Sequence, residues 1–196
     1  MDIMKILEII IIVVFMVALI VRGGEQKKIV SKKKIDECIG LLNTRLKKPR
    51  SDYRLNAILY EQLKANIYDE KVLRKIAVDI IGHCGIKKPF VNVIVEGEVK
   101  GVGGTYSNYY GQSTITIMMG KYKSANEILA VMVHECMHMY LNTVGIRYDD
   151  REMNEYLTDV ATVYMGFYDI VTSGYFHQGY LTTNNLKYVR KCIRNI

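Results

Sequence analysis

The chain has four cysteines but no C-x-x-C pair, no internal repeat, and no low-complexity tract beyond one lysine run. Cys38, Cys84, Cys136 and Cys192 stand far apart, which excludes a zinc knuckle and supplies no disulfide framework. Reduced thiols in a cytosolic setting are the simplest account of them, although the sequence leaves two bridges open. Without repeats, 196 residues amount to one domain with an appendage, long enough to bury a core without disulfide staples. Aromatic residues are missing from the basic stretch Lys27, Lys28, Lys32, Lys33, Lys34, Lys47, Lys48 and Arg50. That removes the stacking platform a nucleic-acid binder needs, so the net charge of +7 points to an anionic membrane surface or to a solvated linker.

What is present is uneven. Ile9 to Val21 is an unbroken run of 13 apolar residues, short for a bilayer span, but starting at Ile3 gives 19 with Lys5 and Glu8 included. Three readings compete: a transmembrane anchor, a cleaved signal peptide and a buried helix. VALIVRGG offers no small-x-small cleavage site, and Asp2 offsets Lys5, against a signal peptide. A buried helix does not explain lysines directly behind a run with no polar face. The anchor is therefore the favoured reading. Arg22 and the lysines after it place the following chain on the cytoplasmic side. The expected organisation is an anchor over 1–22, a basic juxtamembrane segment over 23–50 with a short helix from Ile35 to Leu46, and a folded domain over 51–196.

Within that domain, Ser51 or Asp52 is expected to cap a helix to about Asn66. Asp69 should cap another, which carries Val72, Leu73, Ile76, Ala77, Ile80 and Ile81 and stops near Gly82 or Gly85. The period then changes: Phe90–Val95 and Ser113–Met119 read as strands around a glycine-rich loop, GVGGTYSNYYG. Ser124 and Glu127 form an S-x-x-E capping box that opens a helix ending near Gly145. One long helix is expected from Asp150, its cap alongside Asp149, to Val171. A turn follows at Gly174–Tyr180, then a last helix over about Asn185–Arg194, capped by Thr182 or Thr183.

The capped helix carries MVHECMHMYL. Residues four apart on a helix lie about 40° apart on one face, so His134 and His138 can address one metal ion. Glu135 stands about 100° from His134, beside the metal, where it can take a proton from a water activated there. With four histidines, this spacing arises by shuffling roughly once in three hundred such chains. Two surface histidines are the alternative. A catalytic zinc wants three protein ligands and one open position. Downstream, NEYLTDVATVYMGF sets Glu155 and Asp159 four apart, on a face that can turn toward the histidine helix.

The two segments together resemble the thermolysin-like zincins, the gluzincins, whose second helix carries N-E-x-x-[ST]-D; the matching residues are Asn154, Glu155, Thr158 and Asp159. The resemblance covers residues 90–172 at most and leaves 1–89 unplaced. It implies an α+β zincin-like domain, a Zn2+ ion on His134, His138 and Glu155, Asp159 as hydrogen-bond partner of a ligand histidine, and Glu135 as catalytic base. It also implies a protein or peptide substrate laid along a strand edge, for which Ser113–Met119 is in place. The chain departs from the family in its short link between the helices and in lacking the second lobe. No motif places the oxyanion-stabilising group; His177 is the first candidate, with Tyr164, Tyr175 and Tyr180 behind it, and Tyr164 turned away by its helical phase. His83 reads as structural, Met132, Met137 and Met139 as core, and Cys136 as a buried thiol facing away from the metal.

The expected activity is zinc-dependent peptide-bond hydrolysis at a membrane. One rival is a catalytically inactive, zinc-stabilised, membrane-attached interaction protein. Another, driven by the lysines alone, is a membrane-surface or nucleic-acid binder.

Overall fold

The computed structural model describes residues 30–49, 51–97, 103–120, 122–174 and 179–194. The apolar run Ile9–Val21 lies outside them. Among the described residues no helix is long and apolar enough to cross a membrane.

The described chain is α+β, with seven helices and one three-stranded sheet. Helix α1 (Lys32–Arg45) begins where the Ser31 side chain accepts from Lys34 N–H. Three lysines open it, yet Ile35, Cys38, Ile39 and Leu42 recur at helical spacing and are buried. Burying those three aliphatic side chains stabilises by about 5–9 kcal/mol as an upper figure. Repulsion among exposed lysines is worth tenths of that. Part of the basic segment 23–50 therefore joins the same core as the rest of the chain.

Helix α2 (Ala57–Ala65) is capped not by Ser51 or Asp52 but by Asn56, whose side-chain Oδ1 accepts from Ile58 and Leu59 N–H. Residues 52–56 instead run without helix, and Tyr53 is fastened at both ends. Its N–H donates to Gly166 O, and its hydroxyl donates to Asp79 Oδ2 at 2.6 Å. Helix α3 (Glu70–His83) is capped by Asp69 as expected, and its apolar stripe is buried.

The sheet has the order β1-β3-β2, from β1 (Val91–Glu96), β2 (Gly104–Tyr109) and β3 (Gln112–Met118). β1 and β3 are parallel, and β2 and β3 form an antiparallel hairpin. Strand β2 corrects the expectation of a loop. Two tyrosines and a threonine favour a strand in GTYSNY, but Gly104 and Asn108 and the glycines before it mask that preference, and the ladder with β3 decides its conformation. The hairpin turns on Tyr110 (φ 49°) and Gly111 (φ 81°), the left-handed pair that suits a two-residue turn. β3 is consequently the central strand, and the edges are β1 and β2, of which β2 lies over the histidine helix's Glu135.

Helix α4 (Ala125–Thr143) opens on the expected box. The Ser124 hydroxyl accepts from Glu127 N–H, and the Glu127 carboxylate reaches one residue beyond the cap to accept from Lys123 N–H at 2.7 Å. The helix is buried on nearly every side because helices and sheet surround it. The expected long helix is two: α5 (Arg151–Tyr164), capped by Asp150, and α6 (Tyr168–Gly174). Gly166, at φ +88°, breaks them apart, and Asp52 Cα would lie 3.1 Å from a Cβ there. Fully buried Phe167 then swings α6 across α4. Helix α7 (Thr183–Arg194) starts where the Thr182 hydroxyl accepts from Asn185 N–H.

Candidate metal centre

His134 and His138 stand on one face of α4, and Glu155 faces them from α5. Their outer atoms converge: His134 Nε2 to His138 Nε2 is 3.0 Å, His138 Nε2 to Glu155 Oε2 is 3.2 Å, and His134 Nε2 to Glu155 Oε2 is 3.3 Å. Tetrahedral coordination with bonds of 2.0–2.2 Å sets neighbouring ligand atoms about 3.3–3.5 Å apart. The three atoms thus already stand near the spacing of a tetrahedron's edges, and the group can hold a metal ion.

The inner ring nitrogens show which tautomers are held. Asp159, fully buried, accepts from His134 Nδ1 at 2.9 Å through Oδ1 and from Leu181 N–H at 2.8 Å through Oδ2. Thr158 Oγ1 donates to Asn154 O at 2.8 Å, so its lone pairs are left to accept from His138 Nδ1 at 3.2 Å. Both imidazoles are therefore protonated inward and present Nε2 outward to a common point. In the metal-free chain a proton shared among these atoms and the Glu155 carboxylate holds them together, and a metal ion at the same point would take its place.

Each matched residue of the N-E-x-x-T-D segment has a separate task. Asn154 clamps the turn before α5, accepting from Tyr148 N–H at 2.8 Å and donating to Tyr148 O. Glu155 faces the histidines, Thr158 orients His138, and Asp159 orients His134. The role of Thr158 was not read from the sequence, although it sits three residues past Glu155 and so shares its face.

Electrostatics follow from this packing. Burial works against a charge on His134, but hydrogen bonds to Asp159 and Glu155 outweigh it and raise its pKa well above 6.5. Burial likewise opposes the charge on Glu155, and its bonds to the two histidines hold the carboxyl at about 2. Glu135 is 6% exposed. Burial pushes its pKa above the usual carboxylate value, against the pull of His134 and His138 and with that of Glu155. A buried carboxylate of raised basicity is suited to proton transfer.

Strand β2 passes directly over this carboxylate. A Cβ on Gly104 would lie 3.1 Å from Glu135 Oε1 and 3.0 Å from Val131 Cγ1. Glycine suits so close an approach, since a Cβ there would press on both side chains.

Of the candidate oxyanion groups, His177 and Tyr175 lie outside the described residues. Tyr164 points away, its hydroxyl donating to Leu46 O at 3.3 Å. Tyr180 adjoins Leu181, which is bonded to Asp159, and is half-exposed. Burial, then the charges of Glu155, Asp159 and Glu135, raise its pKa, with Arg151 opposing, so its hydroxyl lies in the field of the site's carboxylates. His83 is structural: Nε2 donates to Met165 O at 3.0 Å, and its ring packs on Tyr53 and Phe167. Cys136 is buried, its thiol directed toward Ala77 O, and all four cysteines are free. No protein-family model, no curated protein and no solved structure matches the chain.

Proposed function

We propose that the chain is a small zincin-type metallopeptidase that cleaves protein or peptide substrates beside a membrane. The observation that carries this reading is the convergence of His134 Nε2, His138 Nε2 and Glu155 Oε2 beside the buried carboxylate of Glu135. Structural zinc needs four protein ligands and no base, whereas three ligands and an adjacent carboxylate suit hydrolysis.

His134, His138 and Glu155 would hold Zn2+, which when bound supplies a Lewis acid that polarises a carbonyl and acidifies water. The chain's own residues do the rest. Glu135 removes the proton from the attacking water and delivers it to the departing amine nitrogen. Asp159 and Thr158 keep both imidazoles in the ligating tautomer. Extended substrate backbone pairs along the edge of β2, where Gly104 brings the strand up to the base. Tyr180 donates to the oxyanion as the carbonyl becomes tetrahedral. The apolar run Ile9–Val21 and the lysines behind it support a tether that leaves this domain on the cytoplasmic side.

The test is Glu135→Gln in the full chain, assayed for zinc content and for cleavage of an unfolded protein. Metal should stay at one equivalent while cleavage falls by about 10²–10⁴-fold. Undiminished cleavage would refute the assignment. Zinc in both forms with no cleavage by either would favour the inactive, zinc-stabilised reading.

A further inference from the structure

The sheet packs one face on helices α3 and α4 and turns the other outward. Strand register identifies the outward residues. Val91 and Val93 are buried, so Phe90, Asn92 and Ile94 point away, and with them in register Thr114 and Thr116 of β3 and Thr105 and Ser107 of β2. The last row at one end is Phe90, Gln112 and Tyr109. The one charged residue of β1 on this face is Glu96, at the end opposite Phe90. Phe90 is 65% exposed and Tyr109 73%, and at the hairpin tip beside them Tyr110 is 90% exposed. The Tyr109 and Tyr110 rings lie edge to face, 4.4 Å apart.

Charge surrounds this aromatic corner with one sign. Lys87 and Lys88, both exposed, immediately precede Pro89-Phe90, and the Arg74 guanidinium lies 5.9 Å from the Phe90 ring. The acidic side chains of these elements are engaged or distant: Glu70 accepts from Val95 N–H, Asp79 accepts from Tyr53, and exposed Glu96 stands at the opposite end of β1 from Phe90. Exposed aromatics flanked by unopposed cations match the interface of an anionic bilayer. There the rings sit at headgroup depth and the lysines face lipid phosphate or carboxylate.

We propose that the sheet end bearing Phe90, Tyr109 and Tyr110, with Lys87, Lys88 and Arg74, docks on an anionic membrane surface. This contact is separate from the N-terminal apolar run and does not depend on the peptidase reading. It fixes how the domain stands. From Tyr109 to Gly104, beside Glu135, strand β2 spans about 17 Å, so the cleft lies within about that distance of the docked corner.

The chain has no tryptophan, so Y110W in the full chain is a single fluorescent reporter at the hairpin tip itself. It is measured in vesicles of phosphatidylcholine with phosphatidylserine, with and without bromine on the acyl chains, and in phosphatidylcholine alone. Docking predicts blue-shifted emission that bromine quenches in the anionic vesicles and a water-like, unquenched emission in the neutral ones. K87Q/K88Q added to Y110W should shift the docking equilibrium about thirty-fold toward undocked, at about 1 kcal/mol for each lysine near an anionic surface. Unchanged circular dichroism would show that the fold is kept. Water-like emission in anionic vesicles would overturn the proposal, and so would a blue shift that bromine does not quench, the sign of a protein contact at the tip. Equal quenching in neutral and anionic vesicles would overturn the role of the lysines.

Discussion

Asp159→Asn tests whether the centre is assembled from its inner side. The carboxylate is fully buried, and among the described residues it accepts from His134 Nδ1 and from Leu181 N–H. An amide of the same shape has one oxygen, so its nitrogen must face one of these two donors. If it faces Leu181, two buried donors confront each other, and the metal-free protein loses about 1–3 kcal/mol. If it faces His134, the imidazole must accept at Nδ1 and carry its proton on Nε2, the atom directed at the metal. Losing such a partner weakens metal binding about 10–100-fold, or about 1.4–2.7 kcal/mol. Zinc affinity, from competition with a chromophoric chelator, and urea unfolding in excess chelator separate the two outcomes. Because the amide can satisfy only one donor, at least one of the two quantities has to move by the stated amount. Wild-type affinity together with wild-type stability would refute the account of how His134 is oriented.

Two further outcomes follow from other parts of the structure. The pKa of His134 is raised well above 6.5 in the metal-free chain, burial being outweighed by Asp159 and Glu155, so at neutral pH it carries a proton that a ligand must lose. Zinc binding at pH 7 should therefore release about one proton, and the apparent affinity should rise with pH until that pKa is passed; calorimetry in two buffers of different ionisation enthalpy measures this, and no release would contradict it. Gly174→Ala should destabilise by about 3 kcal/mol or more, since a Cβ there would sit 2.1 Å from Asn126 O and 2.6 Å from Ala130 Cβ where α6 crosses α4. Gly40→Ala, in the middle of α1 with nothing within 4 Å, is the control and should be stabilising by about 0.5–1 kcal/mol in the same urea titration.

The legible part of this molecule is the part written in short spacings. Ser124, Asp69, Asp150 and Thr182 cap helices within three residues of themselves, so their signals survive without tertiary knowledge. The same holds for His134 and His138, and for Glu155 and Asp159, whose spacing puts each pair on one face of its helix; the packing of the two helices then brings His134, His138 and Glu155 together. Where context overrode propensity, the reading failed. The segment GTYSNY is polar and glycine-bearing, and becomes a strand because β3 supplies its hydrogen bonds. VYMGFYDIV keeps an apolar period through Gly166, so nothing local reveals that Tyr53, more than a hundred residues earlier, donates to its carbonyl and fixes the break. The helix expected from Ile35 to Leu46 is α1, but its place in the core was hidden by the lysines that flank Ile35, Cys38, Ile39 and Leu42.

The missed strand also alters what the centre can do. With β3 taken as the edge, the substrate would have had to compete for hydrogen-bonding groups that β1 and β2 already use along the whole of β3. Placing the edge on β2 frees a row of backbone groups next to Glu135, and Gly104 is the point where that row meets the base. A glycine read from the sequence as loop punctuation thus marks a close approach of strand to base. A Cβ there would lie 3.0 Å from Val131 Cγ1 and 3.1 Å from Glu135 Oε1, so a side chain at this point presses on Glu135 and shifts the proton acceptor relative to the peptide-binding edge it must serve.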